Sequence, residues 1–174
     1  MLPIELTREP KFFANDEFWE EFINQIGKYA KIIDKDFLSQ ICYEHAHRFN
    51  YQFPKFDINK NQIIRVHKTA QEILNEIKYE SGQELTFHFD NVNNYLLNPQ
   101  NEINHDVLKY ILDKGTWSFP PVIIKYNLAL KLGCKKAGCP IYLIEGTHRV
   151  SYIIRLVEVG IISKDSKHEF LEII

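Results

Sequence analysis

The run PIYLIEGTHRVSYIIRLVEVG, residues 140–160, leaves little choice of local structure. Its short apolar stretch Ile141–Ile144 fits a strand. Gly146 follows at once, where a left-handed backbone or a close approach is easiest for glycine. From Thr147 to Gly160 the apolar residues take up helical spacing. Val150, Ile153, Ile154, Val157 and Ile161 form one stripe, with His148, Ser151, Arg155 and Glu158 roughly opposite. Leu156 and Val159 fall outside the stripe and need cover, which helices near the N-terminus are expected to supply.

A strand-to-helix turn needs a glycine and a cap. It does not need an acid, an imidazole and a guanidinium as well. With Thr147 as N-cap, the amides of His148, Arg149 and Val150 would lack intrahelical partners. Free amides at the positive end of a helix dipole attract an oxyanion, and an arginine fork beside them suits phosphate. Plain architecture with solvated His148 and Arg149 accounts for the turn equally well on local chemistry alone. Glu145 has three roles open to it: an oxygen ligand to Mg²⁺, a proton acceptor from an attacking hydroxyl, or an ion-pair partner of Arg149.

Before residue 80 the pattern reads as helical. NDEFWEEFINQIGKY, opened by Asn15 or Asp16, repeats Phe18, Phe22 and Ile26 at every fourth position. DKDFLSQICYEHAHRF carries Phe37, Ile41 and His45, and NKNQIIRVHKTAQEILNEIKY carries Ile63, Val66, Ala70, Ile73 and Ile77. After Gly82, ELTFHFD alternates like a half-buried strand, which would put His88 and Asp90 on one solvent-facing side. NHDVLKYILDKG predicts a short helix with Asn104 as N-cap and Gly115 past its end. PPVIIKY, PIYLIE and KHEFLEII predict strands, and NLALKLGCKKAGC a hairpin loop or a short helix. The expected organisation is a helical region over 1–80 and a mixed α/β unit over 81–174, an α+β fold.

Net charge is −2 and the pI about 6.4, with no Lys/Arg cluster beyond Lys135-Lys136, which disfavours a duplex held mainly through its phosphates. An odd cysteine count, no basic-then-apolar start and no long apolar run point to the cytosol, with Cys134 and Cys139 as free thiols. His45 and His47, two apart on a helix, point to different faces and make a poor metal pair.

YLLNPQNEINHDVLKYILDKG, FPPVIIKY and IYLIEGTHRVSYI, in that order over about residues 84–174, resemble the ParB/sulfiredoxin-like superfamily. That resemblance implies a small mixed sheet with helices. Its Gly-x-His-Arg turn would hold the phosphates of ATP or CTP with Mg²⁺, through Gly146, Thr147, His148, Arg149 and Ser151. Glu145 and His148 would be the catalytic candidates, for phosphoryl transfer by a kinase or for nucleotide hydrolysis. Superfamily activities diverge: a CTP-dependent clamp on DNA, sulfinic acid reduction, serine phosphorylation and nuclease action, so the fold does not set the reaction. Sulfiredoxins carry their catalytic cysteine where Thr147 stands, which argues against sulfinic acid chemistry. Partitioning proteins place an arginine soon after Asn-Pro, where this chain has Gln100, Asn101 and Glu102. His105 and its neighbours stand where a basic phosphate ligand is common. These departures keep a second reading open: a non-catalytic interaction or regulatory protein, tied to DNA maintenance, phage or toxin neutralisation, that retains the scaffold.

Overall fold

The computed structural model describes residues 1–7, 16–80, 85–86, 88–98 and 105–174. Among these, a five-stranded mixed sheet runs in the order β1-β5-β3-β4-β2. Its strands are β1 (Ile63–Thr69), β2 (Ile77–Lys78), β3 (Val122–Lys125), β4 (Ile141–Glu145) and β5 (Lys167–Ile173). β1 pairs with β5 antiparallel over seven residues, β3 lies parallel to β5 and antiparallel to β4, and β2 parallel to β4. The fold is α+β, with helices leading at the N-terminus. No helix among the described residues is long and apolar enough to cross a membrane.

Period-two alternation sorts the sheet into two cores. Val122, Ile124, Tyr142, Ile144, Leu171 and Ile173 face one layer. That layer holds α1 (Asp16–Ile26), α2 (Lys35–Phe37), α3 (Ala46–Gln52) and α7 (Tyr126–Lys131). Its aromatic centre is Phe37, Phe49, Phe53 and Phe56, all at most 1% exposed. Ile123, Ile141, Leu143 and Phe170 face the other layer, built from α4 (Ala70–Glu76), α5 (Phe89–Leu97), α6 (Asp106–Lys114) and α8 (Thr147–Glu158). Leu156 is buried in this layer, where α4, from the region before residue 80, packs against α8 together with α5 and α6, so the expected cover comes only in part from N-terminal helices; Val159 stays exposed. Val150, Ile153, Ile154 and Val157 are buried as the stripe requires, while Ile161, beyond the helix end, is exposed.

Three local readings change. Residues 63–78 form strand, helix and strand instead of one helix. β-branched Ile63, Ile64 and Val66 find a pairing partner in β5, and Thr69 starts α4 with a capping box to Glu72. Two of the five strands thus precede residue 80, and the sheet is woven from both sides of the expected boundary. His88 and Asp90 do not sit on a strand: His88 is the N-cap of α5 and Asp90 lies in its first turn. Phe87, central to that strand reading, lies outside the described residues, as do Asn15, Asn104 and Gln100–Glu102. The helix expected over 34–49 is interrupted by a π-helical turn, Leu38–Tyr43, before α3.

Candidate phosphate site at the start of α8

β4 ends in a bulge. Val122 pairs with Glu145 but Ile123 with Leu143, so one extra residue is inserted just before the turn. Simple alternation would send Glu145 to the face of Ile141 and Leu143. The bulge instead brings it to the N-terminal layer, where Glu145 Oε2 lies 3.6 Å from His45 Nε2. Gly146 then takes φ +102°, and a Cβ there would sit 2.6 Å from Pro121 Cβ. Gly146, not Thr147, is the N-cap, so Thr147 is the first helical residue. The first helical bond runs from Val150 N–H to Gly146 O, and no side chain caps the end. The amides that precede that bond are those of Thr147, His148 and Arg149, one residue earlier than expected.

Two other helix starts place a histidine beside His148. His88 is the N-cap of α5 and His105 the N-cap of α6, and neither end carries a side-chain cap. The His148 ring stacks on His88 with centroids 3.5 Å apart and lies 5.2 Å from His105. Tyr152, one turn along α8, stands edge-on to His105 at 5.4 Å and accepts a hydrogen bond from Asn91 Nδ2 at 2.6 Å. Burial holds His88 and His148 below the ordinary histidine value, and the neighbouring imidazoles push the same way. Rings stacked this closely do not both direct a ring-nitrogen lone pair at one metal ion. Consistently, no group of three His, Cys, Asp or Glu suited to a metal occurs among the described residues.

Arg149 points the other way. Its side chain is 13% exposed, Nη2 lies 3.6 Å from Glu145 Oε1, and Nη1 donates to Phe119 O at 3.0 Å. Glu44 approaches the same corner, its carboxyl raised by burial. Gln40, on the π-turn, donates to Pro120 O at 3.1 Å and braces the segment that buttresses Gly146. Ser151, expected on the open side, is 0% exposed, and its Oγ has no hydrogen-bond partner.

The turn therefore has two flanks. Glu145 and Arg149 meet Glu44 and His45 on one, and His148 meets His88 and His105 on the other. Sequence reading placed Gly146, His148, Arg149 and Glu145 together, and missed the partners that complete both flanks. His105 was visible as a helix-start residue; His88 lay inside an alternation that mimicked a strand. Away from the turn, Arg65 ties Asp34, Asp36 and Glu169 together beside a cleft of about 270 Å³ walled by Trp117.

No family model matches the chain, and neither the curated proteins nor the solved structures contain a match to it.

Proposed function

We propose that the chain binds a phosphate-bearing ligand, a nucleotide such as ATP or CTP, against the Gly146–Arg149 turn. The reading includes membership of the ParB/sulfiredoxin-like superfamily. One observation carries it: the starts of α5, α6 and α8, none with a side-chain cap among the described residues, bring His88, His105 and His148 together. The amides ahead of the first helical bonds of α6 and α8, at the positive ends of their dipoles, suit an oxyanion, while in α5 the Phe89 and Asn91 N–H groups already donate to Thr86 O and His88 O. Turnover, as phosphoryl transfer or nucleotide hydrolysis, would ask Glu145 to take a proton or to help hold Mg²⁺. Glu145 is already engaged by Arg149 and His45, which supports binding over turnover. The same engagement, with the Arg149 fork spent on Glu145 and the Phe119 carbonyl, favours the second reading of a non-catalytic regulatory protein.

Thermal shift with ATP, CTP and GTP plus Mg²⁺ separates the two. A ligand that binds only the folded chain raises Tm by mass action. The expected result is a rise with at least one nucleotide, abolished in His148→Ala, whose exposed ring contributes little to the core. No rise at millimolar nucleotide would leave the interaction-protein reading standing.

A further inference from the structure

We propose that the His88–His105–His148 cluster takes up a proton as the oxyanion binds. This rests on the phosphate reading and states how the site meets the ligand's charge. The cations of α8 are already committed: Arg149 to Glu145 and Phe119 O, Arg155 to Asn93 Oδ1 and Glu158. Side-chain charge to meet the anion must therefore come from the imidazoles. Without ligand, protonating one ring places a cation against its neighbours and against uncapped helix N-termini, which is unfavourable. With an anion beside the cluster the sign reverses.

Two polar atoms in this part of the molecule are buried without a hydrogen-bond partner: His105 Nδ1, within the cluster, and Ser151 Oγ on α8. Residue 151 lies about 60° around α8 from His148. The charged and titratable groups around the cluster are His88 and Asp90 on α5, His105 and Asp106 on α6, and His148, Arg149, Tyr152 and Arg155 on α8. Glu145 comes from β4, with Glu44 and His45 behind it. Asp90 and Asp106 are exposed and lie in first turns, whereas α8 has no acid in its first turn.

Linkage sets the pH dependence. Affinity is level below the free-state histidine pKa values, falls as pH rises toward the bound-state value, and is level again above it. The slope reaches about tenfold per pH unit for one proton taken up. Sulfate is the probe because its two charges do not titrate in this range. Isothermal titration of the whole chain with sulfate at constant ionic strength, from about pH 6 to about pH 8, in two buffers of unlike ionisation heat, tests it. The expected result is affinity falling with pH, a buffer-dependent heat, and a flatter slope in His88→Gln or His105→Gln. Sulfate binding with pH-independent affinity and buffer-independent heat would overturn the proton uptake and leave the anion site intact. Nucleotide binding without sulfate binding would also overturn it. Absence of both would remove the phosphate reading itself.

Discussion

Gly146→Ala tests the turn directly, with Gly115→Ala as its internal control. Both glycines have positive φ, +102° and +71°, so alanine at either costs about 1–2 kcal/mol in backbone strain. They differ in what surrounds them. Nothing lies within 4 Å of a Cβ at Gly115, whereas one at Gly146 meets Pro121 Cβ at 2.6 Å and Cγ at 3.1 Å. Pro121 has little freedom to yield: its carbonyl accepts the Leu171 N–H at 2.9 Å, and Gln40 holds the preceding Pro120 carbonyl. Overpacking against a fixed ring adds about 1–3 kcal/mol. The expected loss is about 2–5 kcal/mol for Gly146→Ala and about 1–2 kcal/mol for Gly115→Ala. Urea unfolding at a common m-value reads the difference from the midpoints. Equal midpoints in the two variants, or a loss below about 0.5 kcal/mol at Gly146, would refute the account of the turn.

Arg149→Ala removes a largely buried partner of Glu145 and orphans the Phe119 carbonyl. With both groups partly hydrated, about 1–3 kcal/mol of stability should go, and Arg149→Lys should recover only part of it in the same urea assay. Ser151→Ala deletes an unpaired buried hydroxyl, so Tm should hold or rise in a thermal melt. His168 is 1% exposed and burial depresses it to about 4, so it stays neutral in the folded chain while the unfolded chain takes up a proton below about pH 6.5. Stability should drop as pH falls from about 6.5 toward 4, by about 2 kcal/mol at pH 5, and His168→Gln should flatten that part of the urea-midpoint profile.

Legibility followed the range of the forces involved. β3, β4, α8 and β5 were readable because prolines, a glycine and short apolar runs mark them locally. β1 was not: Ile63, Val66 and Ala70 sit at spacings a helix also uses, and the decision falls to β5, which begins about a hundred residues later. Pairing of that reach overrides local preference. The site divides the same way. Gly146 and the free amides follow from one turn. The direction of Glu145 depends on a bulge, and the histidine cluster on three segments whose meeting no local pattern encodes. Ser151 sits only about 60° from His148 around the helix, and its burial comes from packing by neighbouring helices.

The order of the strands bears on how the chain acquires its shape during synthesis. Among the described residues β1 and β2 are the sheet's two margins and pair with β5 and β4. A ribosome that has released the first eighty residues has therefore delivered two borders whose partners are still to come. β2, β4 and β3 can pair once residue 145 is made, but the border formed by β1 waits for residues 167–173, which join it to the centre in a single step.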